Sequence, residues 1–329
     1  MTNRKFLSAL LLTSIIAFLT SCDHSKWNKS EGMVWHTSYH ITWCGPAELA
    51  DSIMPVLMEV DAAVNAFNDN SLVSRINRET EGIVDKHFET LHSESMRVHK
   101  LSEGAFDPTL GPLITAWGFG RGHQASADTL KLDSLLNLTG IQRTRISDGR
   151  LIKPVSGMQF NFSAIAKGYG CDCVGEMFRR NGVTDYMVEI GGEIACRGKS
   201  PSGSKWRISI DKPVISDGII HESQCVIALD SAGVATSGNY RNYHAATSGG
   251  GKYGHTISAV TGRPIATDVL SATVVAPNAM EADALATAFM AMPTDDALKL
   301  AGRLEYPVML VLKDSVFMTP QFHLLIVNQ

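Results

Sequence analysis

The period of the apolar positions changes several times along this chain, and each change marks an element. The stretch MEADALATAFMAM (280–292) consists almost entirely of strong helix formers. It is apolar on nearly every side and predicts a buried helix over 279–292. Helical spacing also runs through 47–67, with a bend at Pro55, through 88–102, and from about 163 to 181. The segment 106–122 opens with Asp107 ahead of Pro108, as a capped helix does, and ends in a glycine-rich loop. Alternation rich in β-branched and aromatic residues predicts a strand at 34–43, and RISDGRLIK (145–153) a hairpin turning at Asp148-Gly149. A short strand at 158–162 leads into the 163–181 helix. After Gly182 come short strands at 185–190, 193–197, 206–210, 225–229, 233–237 and 270–276, and two more at 306–312 and 315–327, while 240–255 is rich in Gly, Ser and Tyr and predicts an exposed loop. Helices and strands do not alternate regularly. The expected class is therefore α+β, with mixed or largely antiparallel sheets and packed helices.

The N-terminus departs from these patterns. Arg4 and Lys5 precede an apolar run, 6–19, that is short for a membrane span, and Leu19-Thr20-Ser21-Cys22 follows. This resembles a bacterial lipobox. It implies a signal peptide over 1–21 and a lipid attached to Cys22; the alternative is an ordinary secretory signal with an incidental cysteine. The polar residues 22–31 read as a tether to a folded domain over 32–329. The expected location is the cell envelope, on a membrane through the lipid; Asp23 after the cysteine resembles an inner-membrane retention signal. The formal charge is −4 and no Lys/Arg run is present, which argues against a nucleic-acid partner. Five of the six cysteines remain beyond Cys22: Cys44, Cys171, Cys173, Cys196 and Cys225. Their number is odd and their spacing is not that of a zinc site, so packing thiols are expected.

Several polar residues stand where chemistry is possible. Asp283 and Thr287 are four apart and share one face of the 279–292 helix. Both offer the hard oxygens that Mg²⁺ prefers, although Asp283 could instead cap or pair locally. Glu281 lies off that face and reads as solvated surface. In NFSAIAKGYG (161–170), Lys167 falls near a helix N-terminus, where the macrodipole opposes it unless it faces an anion; a solvated charge is the other reading. EIGGE (189–193) permits close backbone approach or a simple tight turn. His255, at the end of a flexible loop, is a candidate general base or a structural histidine. GFGRG (118–122) lacks the context of a dinucleotide-binding fold.

In chain order, GAFDPTLGPLITAWGFG, SAIAKGYG, YMVEIGGEIACRG, ATSGNYR, KYGHTISAVTGRP and ADALATA resemble the ApbE family of bacterial envelope FAD:protein FMN transferases. The resemblance covers about 33–291. It implies an FAD donor, Mg²⁺ as cofactor, and transfer of FMN to a threonine or serine hydroxyl in subunits of envelope redox complexes, with release of AMP. Some members hydrolyse FAD to FMN and AMP instead. By motif, Asp283, Thr287 and the carbonyl of Ala164 match the metal ligands. Lys167 matches a contact to the flavin nucleotide, and Ala105, Phe106 and Asp107 match the stretch lining the FAD site. Glu193, Ser237, Gly238, Arg241 and Ile257 are expected in or beside the nucleotide site, and His255 matches the catalytic base.

The chain also departs from the family pattern. Ser258 and Ala259 replace an acid and a proline after the histidine, so only a neutral hydrogen bond is left to orient it. Asn161 replaces an acid beside the nucleotide. Trp35-His36-Thr37 replaces a Met-Gly-Thr, and Trp35 could stack on a flavin or fill the core. Three outcomes stay open: a transferase, a Mg²⁺-dependent FAD pyrophosphatase, and a catalytically weak FAD-binding lipoprotein.

Overall fold

The computed structural model describes residues 26–119, 132–213, 222–238, 243–245, 252–254, 256–265 and 267–327. Strands β1 (Trp27–Val34) and β2 (Thr37–Cys44) form an antiparallel hairpin. Trp35 and His36 make its turn, with φ of 51° and 63°. A two-residue hairpin turn that follows the strand twist needs left-handed backbone at both positions. Two expectations are corrected here. The strand expected at 34–43 is the junction of two strands, and the expected tether over 22–31 is already in β1 from Trp27. Three of the eight β1 residues are exposed, and its polar edge composition resembles a linker.

Next come α1 (Ala50–Val64), which contains Pro55, and α2 (Leu72–Asn77), capped by Ser71. β3 (Glu81–Ile83) precedes α3 (Lys86–Leu101), whose N-cap Asp85 accepts from Phe88 N at 2.8 Å. α4 (Gly111–Ala116) and α5 (Leu132–Leu136) are short, and β4 (Arg145–Ser147) pairs with β5 (Arg150–Ile152) as predicted. The helix expected from Asp107 starts four residues later, because the Asp107 carboxylate accepts from Thr109 N (2.8 Å) and Thr109 Oγ1 (2.6 Å) and closes a separate turn. The strand expected at 158–162 is a single parallel bridge, Leu110 to Gln159. The side chain of Asn77 takes the place of a neighbouring strand: its Nδ2 donates to Phe160 O (2.9 Å) and its Oδ1 accepts from Phe160 N (2.7 Å).

The second half contains α6 (Ala166–Arg180), β6 (Tyr186–Ile190), β7 (Glu193–Arg197), β8 (Trp206–Asp211), β9 (Ser223–Leu229) and β10 (Ser231–Gly238). β11 (Tyr243–Ala245) and β12 (Lys252–Gly254) pair within the stretch expected as loop. β13 (Val269–Ala276), α7 (Ala279–Met290), α8 (Thr294–Arg303), β14 (Val308–Leu312), β15 (Val316–Met318), α9 (Pro320–His323) and β16 (Ile326–Val327) follow. The long strand expected at 315–327 is thus divided, since Pro320 starts a helical turn inside it.

Eight strands form one antiparallel sheet in the order β1-β2-β6-β7-β10-β13-β14-β15. Its central strands are buried on both faces. Ala235, Ala272, Val274, Val308 and Leu310 face the helices, while Val234, Val275, Met309 and Val311 pack on Trp206, Ile208, Ile227 and Phe322. Strands with both faces covered read as continuous apolar runs rather than alternating ones. The three-stranded sheet β16-β9-β8 supplies the second cover. On the helical side α7 lies against β10, β13, α6 and α3, so it is buried nearly all round. The five described cysteines are free thiols, buried or half-buried.

Candidate active site

Helices α6 and α7 make the floor of the site. Gly168 lies so close to α7 that a Cβ there would fall 2.2 Å from Ala279 O and 2.9 Å from Asp283 Cβ. That approach brings the Gly168 N–H within 3.1 Å of Asp283 Oδ2, to which it donates. One turn along α7, Thr287 Oγ1 hydrogen-bonds Ser237 Oγ at the end of β10, at 3.2 Å. The i, i+4 spacing read from the sequence thus aims both oxygens at one place.

Lys167 and Glu193 form an ion pair across this floor. Glu193 opens β7 after Gly191 and Gly192, whose φ values of 61° and 101° suit glycine. Burial pulls Lys167 toward neutrality, but Glu193 and Asp283 outweigh it and hold the ammonium above the ordinary lysine range. Burial raises the Glu193 carboxyl to about 8; Lys167 opposes the shift and the like charge of Asp283 adds to it. Burial also raises Asp283. Among the described residues two buried acids therefore share one base at this floor.

A cavity of ≈ 710 Å³ opens above this floor. Ala105, Phe106, Asp107, Asn161, Ala164, Lys167, Glu193, Ser237, Gly238, Ile257, Asp283 and Thr287 all line it. Residues as far apart in the chain as Phe67 and Ala291, 224 positions, meet here. Phe67, Leu110, Ile114, Phe119, Thr236 and Thr256 line it too and were not singled out from sequence. Phe67 is 40% exposed despite its size, but nothing in its local sequence marks it. Asn161 organises the loop before α6, its Oδ1 accepting from Ser163 N at 2.9 Å.

Trp35 does not line the cavity; its ring covers Gly170 on α6, between the two helix-side cores, which is the core-filling alternative. Ser258 is buried, and its Oγ accepts from Val260 N (3.3 Å) and Thr261 N (3.2 Å), closing the 258–262 turn. His255, Arg241 and Cys22 lie outside the described residues. Glu281 corrects another expectation. It is 5% exposed, pairs with Arg97 of α3 and accepts from Tyr306 OH at 2.5 Å. It faces α3 because α7 is covered on that side too.

Among the described residues no three His, Cys, Asp or Glu side chains are grouped to hold a metal. The expected set has one carboxylate, Asp283, with the Thr287 hydroxyl and the Ala164 carbonyl, and all three residues line the cavity. An all-oxygen set with few protein ligands suits Mg²⁺, which keeps waters and takes phosphate oxygens. The surplus of buried acid over base among the described residues suits a divalent cation as well.

The sequence profile of the ApbE family matches residues 35–310. The FAD:protein FMN transferase of Vibrio cholerae is 36% identical over 86% of each chain, and that of Haemophilus influenzae 30% identical over 96% of each. The structure of the flavin transferase ApbE from Vibrio cholerae matches with a TM-score of 0.81 at 31% identity, over 91% of this chain and 99% of the other. The apo flavinyl transferase ApbE of Pseudomonas stutzeri gives 0.80 at 30% identity, over 94% and 100%. The chain belongs to the ApbE family.

Proposed function

We infer that this protein is an enzyme, an FAD:protein FMN transferase that moves FMN from FAD onto a protein acceptor. Relatives of that name match it over nearly their whole length. The observation that carries the reading is the charged floor of the cavity, where Lys167, Glu193 and Asp283 converge beneath a space large enough for a nucleotide.

The finer reading is that the donor's pyrophosphate lies over this floor, that Mg²⁺ is held by Asp283, Thr287 and the Ala164 carbonyl, and that the acceptor group is a threonine or serine hydroxyl. Mg²⁺ in this place supplies positive charge to the phosphate oxygens. Lys167 supplies more, from a side chain that its acidic neighbours keep protonated. The acceptor oxygen forms a bond to the phosphorus on the FMN side. The bond from that phosphorus to the bridging oxygen breaks, and AMP leaves with the bridging oxygen. The hydroxyl proton passes to His255, which immediately precedes Thr256 on the cavity wall. The apolar wall of Phe106, Leu110, Ile114 and Phe119 shields the flavin end from water. Envelope redox subunits as acceptors, and a lipid on Cys22 facing the periplasm, complete the proposal; the LTSC sequence at 19–22 supports the latter.

One assay tests the function. The protein is incubated with FAD, Mg²⁺ and a candidate acceptor domain, and acceptor mass and free nucleotides are read together. Transfer gives a mass gain of one FMN unit with one AMP. Free FMN with AMP and an unchanged acceptor indicates a pyrophosphatase, and intact FAD indicates a binding protein.

A further inference from the structure

We propose that Asp172 is a positioning residue for the cation site: its carboxylate fixes the register of α7 against α6 and so aims Asp283 into the cavity. The inference rests on the metal-dependent reading above. Asp172 accepts from Ala279 N at 3.0 Å and from Met280 N at 2.8 Å. These are the first two N–H groups of α7, which have no partner inside their own helix. One turn earlier on α6, Gly168 N donates to Asp283 Oδ2 at 3.1 Å. Gly168 and Asp172 are four apart, and so are Ala279 and Asp283, so each pair shares one helix face. Each helix thus donates N–H from its first turn to a carboxylate of the other. The two rungs run in opposite directions along the chain, 168 to 283 and 172 to 279.

The contact between the rungs is backbone on backbone. A Cβ at 168 would fall 2.2 Å from Ala279 O. The two rungs bracket this close approach on either side and fix its register. Asn278 supports the same helix end differently: its Oδ1 accepts from Glu281 N at 2.8 Å, within α7, and it does not reach α6 through that bond. Removing Asp172 therefore loosens α7 relative to Lys167 and Ala164. Removing Asn278 weakens only the helix's own cap. Asp172 does not line the cavity and acts through Asp283.

The test compares the full-length wild-type protein with Asp172→Ala, Asp172→Asn and Asn278→Ala. Mn²⁺ binding to the FAD-loaded protein is followed by electron paramagnetic resonance without acceptor, and the half-saturating Mg²⁺ for transfer is measured alongside. Asp172→Ala is expected to weaken both by about tenfold with KM for FAD unchanged, the size typical of losing a group that orients a metal ligand. Asp172→Asn, which keeps one acceptor oxygen, falls between; it carries the test should the alanine variant not fold. Asn278→Ala lowers the melting temperature but leaves metal affinity as in the wild type. Asp172 variants with metal affinity equal to that of Asn278→Ala would overturn the positioning role alone. A wild-type protein that binds no Mn²⁺ and transfers without metal would overturn the metal reading, and this inference with it.

Discussion

The backbone N–H of Gly168 donates to the carboxylate of Asp283 at 3.1 Å, and the two residues can meet only because position 168 has no side chain. An added methyl would collide with the Ala279 carbonyl, a backbone atom that cannot swing aside. Gly168→Ala is therefore expected to push α6 and α7 apart. The cost is about 1–3 kcal/mol of overpacking, seen as a lower urea midpoint, together with weaker metal dependence of transfer.

Lys167 is the base shared by two buried acids, so its loss should be felt in stability before any substrate binds. Lys167→Met leaves Glu193 and Asp283 facing one another uncompensated. The lysine side chain is 34% exposed, which screens the pair. A loss on the order of 2 kcal/mol is expected once that screening is allowed for. Adding Glu193→Gln to the same protein should restore part of it. Urea unfolding of the single and double variants checks the coupling; additive losses would show that the pair does not interact.

How much of this was legible in the sequence depends on how local each cause is. Asp283 and Thr287 lie one helical turn apart, and that spacing alone put them on one face. The ladder strands from β6 to β10 were legible because apolar runs between glycines leave few alternatives. Most of the cavity residues were reached only through the family resemblance, since Ala105, Asn161 and Glu193 carry no local signature. Glu281 was misread because a glutamate in an apolar helix looks the same whether it meets water or Arg97, 184 positions away. Asn77 was invisible for the same reason: its role is to hydrogen-bond Phe160, 83 positions on. β1 resembled a linker because only one of its edges is paired.

The Glu281–Arg97–Tyr306 cluster ties α7 to α3 and to the segment before β14. Glu281→Ala strands the Tyr306 hydroxyl and one side of the Arg97 guanidinium. A destabilisation of about 1–3 kcal/mol is expected, smaller in Glu281→Gln, which keeps an acceptor. Thermal unfolding of both variants separates the hydrogen bonds from the charge.

The stability of the protein should also fall in mild acid through His92. Its ring is 7% exposed, its Nε2 hydrogen-bonds Thr144 Oγ1 at 2.8 Å, and burial lowers its pKa to about 4. Between pH 6.5 and about 4 the unfolded chain takes up a proton at this residue that the folded chain refuses. The stabilisation is full above pH 6.5 and is lost as the pH falls toward 4, by on the order of 2–3 kcal/mol. Urea midpoints at pH 7 and pH 5 should differ less in His92→Gln than in the wild type; equal differences would exclude His92 as the cause.

If the cavity over α6 and α7 splits FAD and delivers FMN to a protein, with Asp283 holding the metal, then loss of Asp283 must slow the transfer. The most direct measurement is the intact mass of an acceptor domain after incubation with FAD and Mg²⁺, using wild-type and Asp283→Ala protein side by side. The wild type should give a gain of one FMN unit, matched by AMP. With Asp283→Ala the transfer rate should be lower by about a hundredfold, the scale of losing a charge-stabilising group at the reacting phosphate. An acceptor labelled equally fast by both proteins, with the same Mg²⁺ dependence, would contradict this.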